Sequence, residues 1–295
     1  MNLTRRREVG RIEVAGRGTN VRRMKLAGRM LMALVFVVCA SGVSAVEAQD
    51  LSAHFRNVNG CIVVYDLQKD AYVRHNEARC RQRFSPYSTF KIPNSLIGLE
   101  TGVIKDADFV IPWNRTKYPP DDWVSEPFIN WKRDHNLRTA MQHSVVWYYK
   151  ELALRVGAAR MKKHLAQLEY GNADASGGLD KFWLNSSLRI SPEEQIEFLK
   201  KFYRDELPFS KRSMRIVKEI IVREETPAYR LSGKTGGGPA GNGRSLGWFV
   251  GYVETGGKVY FFATNLEGAN YMAIRDERIN LTKRILADLG YLPKT

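Results

Sequence analysis

The apolar positions of the chain follow different patterns at its two ends and in its middle. Gly256-Gly257 separates two apolar runs near the end of the chain, which is typical of a tight hairpin turn. Five runs rich in β-branched and aromatic residues predict strands, namely 61–66, 71–76, 228–234, 245–253 and 258–265. The predicted strands therefore come from both ends of the sequence.

The middle of the chain and its last segment show the spacing of amphipathic helices. Ser191-Pro192-Glu193-Glu194 provides a cap, a proline at the first position and acids in the first turn. Apolar residues recur at helical intervals over four segments, 137–157, 158–168, 192–203 and 271–289. We predict an α/β fold of the α+β type: an antiparallel sheet built from both chain ends, with flanking helices and an inserted, mainly helical subdomain.

The first 48 residues differ from the rest of the chain. They contain nine Lys or Arg against three acids, so they contribute six of the fifteen positive charges. The apolar run Met30 to Val38 follows Met24-Lys25 and Arg29, and small residues follow it at Ala45 and Ala48. This order predicts a cleaved secretory signal, export to the periplasm and no stable membrane anchor afterwards; an uncleaved anchor is the alternative, and Met24 is a possible start. Residues 49–295 are predicted to form one domain.

Export changes the interpretation of the cysteines. Cys39 lies in the predicted signal, which leaves Cys61 and Cys80 as an even pair in an oxidising compartment. The predicted hairpin from 61 to 76 brings them within plausible reach. We expect a disulfide, with two free thiols as the alternative.

The candidate chemistry begins at Ser88-Thr89-Phe90-Lys91. Ser88 and Lys91 are three residues apart, so on a helix the hydroxyl and the amine share one face. A desolvated lysine can act as the base that a nucleophilic serine needs, and backbone N–H groups at a helix start suit an anionic intermediate. The spacing is common by chance, so an ordinary helix start remains the alternative for this motif alone.

Further motifs change that balance. Ser-x-x-Lys together with Lys-Thr-Gly is a signature of penicillin-recognising serine enzymes. The matching segments are Ser88-Thr89-Phe90-Lys91, Ser144-Val145-Val146, Tyr170-Gly171-Asn172, Lys181-Phe182-Trp183-Leu184, Ile190-Ser191-Pro192-Glu193-Glu194-Gln195, Lys234-Thr235-Gly236 and Leu246-Gly247-Trp248-Phe249-Val250-Gly251. In this order, over roughly residues 55–292, they resemble the class D serine β-lactamases.

The resemblance implies the roles of the catalytic residues. Ser88 would attack the β-lactam carbonyl and form an acyl-enzyme. Lys91 would carry a carboxylate added by CO2 or bicarbonate, as N6-carboxylysine, and would act as the general base; no other cofactor is implied. Burial against Phe90, Val145, Trp183 and Leu184 would lower the pKa of Lys91 and leave a neutral amine. The indole N–H of Trp183 could hold the carbamate.

The resemblance also implies how the substrate is bound. The N–H groups of Ser88 and Gly237 would form the oxyanion hole. Ser144 and Lys234 would link the nucleophile to the substrate carboxylate. The residues expected to line the substrate site are Val145, Trp183, Leu184, Thr235, Gly236 and Arg278. Arg275 is a rival to Arg278, one turn earlier.

One segment departs from the family pattern. Lys234-Thr235-Gly236 is followed by Gly237-Gly238-Pro239-Ala240-Gly241-Asn242-Gly243, where bulkier residues are expected in part. This change puts the substrate range in doubt.

The predicted function is hydrolysis of β-lactams, penicillins foremost, in the periplasm. A penicillin-sensing receptor domain and a D,D-peptidase are the alternatives. The sequence predicts no metal site, because none of the five histidines stands at ligand spacing from a carboxylate or another His. It also predicts a small anionic substrate rather than nucleic acid as the partner, since the lysine clusters suit solvated helix faces.

Overall fold

A six-stranded antiparallel sheet forms the centre of the fold. In the computed structural model, the described residues are 50–294 without 122 and 124–127, so the predicted signal lies outside them. The strands are β1 (Asn59–Asp66), β2 (Ala71–His75), β5 (Val222–Glu225), β6 (Tyr229–Pro239), β7 (Ser245–Thr255) and β8 (Lys258–Gly268). They lie in the order β2-β1-β8-β7-β6-β5, so the two chain ends meet at the β1–β8 pair. A small second sheet pairs β3 (Val110–Ile111) with β4 (His135–Asn136).

Helices pack against both faces of the sheet. They are α1 (Glu77–Arg81), α2 (Lys91–Glu100), α3 (Leu137–Gln142), α4 (Val146–Val156), α5 (Ala158–Leu168), α6 (Pro192–Tyr203), α7 (Lys211–Ile220), α8 (Tyr271–Arg275) and α9 (Glu277–Asp288). Short 3₁₀ helices lie at Ser52–Phe55, Tyr87–Phe90 and Phe128–Trp131. Among the described residues, no helix is long and apolar enough to cross a membrane.

The sheet separates two cores, which explains why its strands appear as nearly continuous apolar runs. Alternate residues of β1 point to opposite sides: Val63 joins the large core beneath the helical region, and Val64 joins the smaller core under α8 and α9. Both sides are covered, so few positions in β1, β7 and β8 are polar.

Most predicted elements are confirmed. The hairpin turn at Gly256-Gly257 has positive φ at both glycines and joins β7 to β8. Helix α6 begins at the predicted cap, where the Ser191 hydroxyl accepts from the Glu194 N–H and the Glu194 carboxylate accepts from the Ser191 N–H. The α+β architecture with a helical insertion is also confirmed.

Three local predictions were wrong, and some elements were missed. The helix predicted over 137–157 breaks at Ser144, which has φ +55 and separates α3 from α4. The helix predicted over 271–289 breaks at Asp276, between α8 and α9. Strand β6 continues through the Lys-Thr-Gly segment to Pro239 instead of ending there. Helix α7 and strand β5 were not predicted at all.

Both cysteines are free thiols in the structure, so it does not show the expected disulfide. Both are fully buried, one in β1 and the other in α1. The Cys80 sulfur lies 3.3 Å from the His75 carbonyl and 3.5 Å from the Ile62 carbonyl, where it contacts main-chain acceptors. Burial, followed by the neighbouring Cys80, raises the pKa of Cys61, which keeps that thiol protonated.

Candidate active site

The serine nucleophile lies on a tight turn that feeds directly into a helix. The 3₁₀ helix Tyr87–Phe90 continues into α2 at Lys91. In a 3₁₀ turn, residues three apart lie almost above one another, so the Ser-x-x-Lys spacing places the two side chains together. The Lys91 Nζ lies 2.7 Å from the Ser88 Oγ, which confirms the predicted contact.

Lys91 is buried, and no acidic side chain among the described residues pairs with it. Its side chain is fully enclosed, and its Nζ lies 5.1 Å from the centre of the Tyr149 ring. Burial lowers the pKa of Lys91 to about 7, because the ammonium form loses its hydration. A large fraction of this amine is therefore neutral near neutral pH.

Trp183 packs against the turn that carries Ser88, and its carbonyl accepts from the Tyr87 N–H at 3.1 Å. Its ring stacks on Phe90, the residue before Lys91, with ring centres 5.5 Å apart. Within the described part of the chain, the buried Trp183 Nε1 has no hydrogen-bond partner. A buried donor without an acceptor is costly, so this N–H fits an oxygen-rich group in the site.

Tyr170 packs against the residues that follow Ser88 in the chain. Tyr170 is buried, and its ring lies edge-on to Phe90 with ring centres 5.8 Å apart. Gln195 donates to the Thr89 Oγ1 at 3.0 Å and to the Tyr170 hydroxyl at 3.1 Å. This network anchors the residue that follows Ser88.

Ser144 lies on the opposite side of the cleft, at the break between α3 and α4. The cleft has a volume of about 450 Å³, and Ser88, Ser144 and Lys234 all line it. Val145 is fully buried in the core, whereas Val146 lines the cleft. Val146, and not the predicted Val145, therefore lies at the cleft, directly after the turn at Ser144.

Lys234 lies within β6 and is nearly fully buried. Its Nζ donates to the Thr235 carbonyl at 3.0 Å. Burial, and then repulsion by the charges of Lys91, Arg223 and Arg278, holds the pKa of Lys234 well below its usual range. The predicted lysine of the strand therefore shares one electrostatic environment with the predicted base.

Arg278 and Arg275 both line the cleft, but they have different partners. Arg278 is 5% exposed; its guanidinium donates to the Gly236 carbonyl and, at 3.0 Å, to the Arg275 carbonyl. The Arg275 side chain pairs with Asp276 at 3.1 Å and is one-third exposed. The geometry favours Arg278 over Arg275 as the candidate for binding a substrate carboxylate, since Arg278 is held against the strand that carries Thr235.

Gly237 is placed to present its N–H to the cleft. The Gly233 N–H donates at 2.9 Å to Ile221, which precedes β5. Backbone groups two residues apart on a strand point the same way, so the N–H groups of Thr235 and Gly237 point to that same edge. Strand β5 pairs with β6 only up to Ser232, so the later part of this edge borders the cleft.

The described lining of the cleft contains residues that the sequence reasoning missed. They are Phe128, Trp131, Gln142, His143, Val146, Arg223, Tyr271, Asp276 and Ile279. Tyr271 could have been found, because it stands four and seven residues before Arg275 and Arg278, at helical spacing. Arg223 gives no such signal, since β5 has neither a motif nor an apolar pattern. Trp183 and Leu184, which were expected at the substrate, lie outside this lining.

The chain shows the architecture of the penicillin-binding transpeptidases. Residues 60–289 match the family model described as "Penicillin binding protein transpeptidase domain". A serine and a lysine in contact, beside a strand that carries Lys-Thr-Gly, define the enzyme class within this fold.

More closely, the chain belongs to the class D β-lactamases. It is 42% identical to "Probable beta-lactamase YbxI" of Bacillus subtilis (strain 168), over 84% of this chain and 87% of that protein. A crystal structure titled as the class D β-lactamase YbXI from Nostoc matches with a TM-score of 0.75 and 41% identity, over 82% of this chain and 99% of that chain. "Regulatory protein BlaR1" of Bacillus licheniformis is 36% identical over 76% of this chain, but only 36% of that protein is covered.

Proposed function

We propose that this enzyme hydrolyses β-lactams, penicillins foremost, through an acyl intermediate on Ser88, with Lys91 in its carboxylated form as the general base. The 2.7 Å contact between the Lys91 Nζ and the Ser88 Oγ carries this proposal. A serine hydroxyl is a weak nucleophile until a group within hydrogen-bond reach takes its proton. Lys91 is the group in that position.

The acylation step uses both sides of the cleft. The Ser88 Oγ forms a bond to the carbonyl carbon of the lactam while its proton passes to the base on Lys91. The N–H groups of Ser88 and Gly237 stabilise the oxyanion of the tetrahedral intermediate. The C–N bond of the lactam then breaks, and the proton taken from Ser88 passes from the base on Lys91 through Ser144 to the ring nitrogen, which leaves the base free again. In the second step, the base on Lys91 takes a proton from a water that attacks the ester carbonyl; the ester C–O bond breaks, and that proton passes to the Ser88 Oγ.

The burial of Lys91 supports its carboxylation. A neutral amine attacks CO2 and loses one proton to give a carbamate, whereas an ammonium group cannot react. With a pKa of about 7, Lys91 has the neutral form available. The buried indole N–H of Trp183, which has no partner among the described residues, would donate to the carbamate and supply the stabilisation that burial removes.

The positive charge of Arg278 on α9 and the hydroxyl of Thr235 on β6 suit the carboxylate of a penicillin. Arg278 and Thr235 would bind it directly, and Lys234 would connect it to Ser144. Charge-assisted hydrogen bonds of this type are about twice as strong as neutral ones. The predicted export through residues 1–48 would deliver the enzyme to the periplasm, where such drugs act on cell-wall synthesis. Cleavage of these residues can be checked by the N-terminal sequence of the secreted protein.

Turnover separates this function from its two rivals. A receptor domain forms an acyl-enzyme and keeps it, and a D,D-peptidase hydrolyses β-lactams poorly. We expect sustained hydrolysis of a chromogenic β-lactam, with many molecules consumed for each enzyme molecule. A single stoichiometric burst followed by no further hydrolysis would contradict the proposal.

Carboxylation has its own direct readout. Wild-type enzyme equilibrated with ¹³C-bicarbonate should show a carbamate carbon signal by NMR, and the Lys91→Ala variant should lack that signal. A wild-type spectrum identical to that of the variant would overturn the role of carboxylated Lys91 without affecting that of Ser88.

A further inference from the structure

Tyr87, the residue before the nucleophile, is held in an unusual conformation. Its backbone has φ +49, in the left-handed region that large side chains rarely adopt. Its N–H donates to the Trp183 carbonyl at 3.1 Å, and its side chain is 4% exposed. The surrounding structure must stabilise this conformation, because it is costly by itself.

The Tyr87 side chain connects the nucleophile turn to strand β6. Its hydroxyl donates to the Pro239 carbonyl at the end of that strand. Between these two points, the ring lies against Gly238. A Cβ added to Gly238 would lie 2.2 Å from Cε1 and 2.6 Å from Cζ of the ring. Any side chain at position 238 would therefore displace Tyr87.

This packing accounts for one glycine in the segment that departs from the family pattern. Gly238 leaves the space that the Tyr87 ring fills, and the ring is fixed both by burial and by its hydroxyl. Gly236, on the same side of β6, is equally close to the turn: its Cβ would lie 2.8 Å from the Pro86 carbonyl oxygen. The strand and the turn thus touch through backbone and one aromatic ring.

The ends of this connection lie beside the two groups assigned to the oxyanion hole. Tyr87 precedes Ser88 in the chain, and Gly238 follows Gly237. We propose that Tyr87 is a positioning residue that fixes the spacing between the Ser88 and Gly237 N–H groups by joining the turn to β6. This inference rests on the proposed function, and it assigns to Tyr87 no contact with the substrate.

Tyr87→Phe tests the hydrogen bond while keeping the ring. We expect the acylation rate constant to fall about 10-fold, and the affinity for a boronic acid that mimics the tetrahedral intermediate to fall by a similar factor. The affinity for unreacted substrate should change less than 2-fold, since only the oxyanion contacts are affected. Equal losses in substrate affinity and boronate affinity, or no change in acylation, would overturn the proposal.

Tyr148→Phe is the matched control. The Tyr148 hydroxyl also donates to a main-chain carbonyl, that of Phe109 at 3.1 Å, and Tyr148 is fully buried outside the cleft. This control should lower the melting temperature as much as Tyr87→Phe does, but it should leave acylation and boronate affinity unchanged. Losses of acylation in both variants would show that general stability, rather than spacing, is responsible.

A double-mutant cycle tests the contact between Tyr87 and Gly238. Gly238→Ala should slow acylation about 10-fold in the wild-type background and less than 2-fold in a Tyr87→Ala background, because the clash is then absent. Independent, multiplicative losses would contradict the coupling. Wild-type enzyme that forms no adduct on Ser88 would overturn the proposed function itself, whereas a normal wild-type adduct with uncoupled variants would overturn only this inference.

Discussion

The two walls of the cleft differ in the chemical surroundings of their functional side chains. The helical wall consists of Ser88 and Lys91 with the aromatic residues behind them, and its lysine is fully buried, with no acidic partner among the described residues. The strand wall, Lys234, Thr235 and Arg278, concentrates positive charge beside a strand edge. Burial lowers the pKa of the lysine on both walls, but Lys91 contacts the Ser88 Oγ, whereas Lys234 lies in the field of Arg223 and Arg278, whose positive charges suit a carboxylate. The comparison indicates why two buried lysines are proposed to act differently, Lys91 as the base and Lys234 as a binding group.

Removal of the nucleophile should have the largest effect. Ser88→Ala leaves no oxygen to form the acyl bond, so we expect hydrolysis to fall about 10⁴-fold or more. Intact-protein mass spectrometry should show no penicillin adduct. Ser95→Ala is the control, since Ser95 is buried on α2 and donates to the Lys91 carbonyl at 2.7 Å. An adduct on the Ser88→Ala variant would remove Ser88 from its role.

The second prediction tests the helical wall alone. Trp183→Phe keeps the ring that stacks on Phe90 but removes the indole N–H, so deacylation should slow about 10-fold to 100-fold, and a high bicarbonate concentration should restore part of it. Rates of acyl-enzyme breakdown measure this effect. Trp147→Phe is the control, because the Trp147 N–H already has an acceptor, the Trp131 carbonyl at 2.9 Å. Equal bicarbonate dependence in the two variants would contradict the assignment of Trp183.

The third prediction tests the strand wall. Arg278→Ala should raise KM for penicillins about 10-fold to 100-fold and affect kcat less, because a charge-assisted contact to the carboxylate is lost. Arg275→Ala should change KM less than 3-fold, since Arg275 is one-third exposed and already paired with Asp276. Steady-state kinetics on both variants distinguish Arg278 from Arg275 as the group that binds the carboxylate. A larger effect of Arg275→Ala would reverse the assignment.

The smallest effect concerns the cysteines. If Cys61 and Cys80 are free thiols, as in the structure, a reductant should leave the melting temperature unchanged within about 1 °C. A disulfide that closes this loop would contribute about 3 kcal/mol, so its reduction would lower the melting temperature by roughly 6 to 12 °C. Thermal unfolding with and without dithiothreitol distinguishes the two states.

The sequence predicted the strand wall less well than the helical wall, for physical reasons. Ser88 and Lys91 are close in sequence, and local helical geometry is sufficient to bring them together. The end of β6 was misplaced because its continuation is glycine and proline, which have low strand propensity but are held here by pairing with β7. Arg223 lies on a short charged strand, β5, whose position depends on its pairing with β6. No local sequence pattern predicts this pairing.

The errors on the helical side come from single backbone angles. The positive φ of Ser144 leaves the apolar spacing of 137–157 intact, so the pattern predicted one helix where there are two. After the same turn, Val146 lines the cleft, whereas Val145, which was predicted there, is buried in the core. The fit between Tyr87 and Gly238 was likewise invisible, since it joins residues about 150 positions apart.

The response of a CO2-depleted enzyme to bicarbonate shows most directly whether Lys91 acts in its carboxylated form. Burial lowers the pKa of Lys91 to about 7, so the amine is mainly neutral above pH 7 and becomes protonated, and unreactive towards CO2, as the pH falls below it. We predict that depleted enzyme hydrolyses a chromogenic β-lactam slowly, that bicarbonate restores the rate, and that restoration weakens as the pH falls from 8 to 6 at a fixed CO2 concentration. Full activity in depleted enzyme, with no response to bicarbonate at any pH, would contradict the central claim that carboxylated Lys91 is the base.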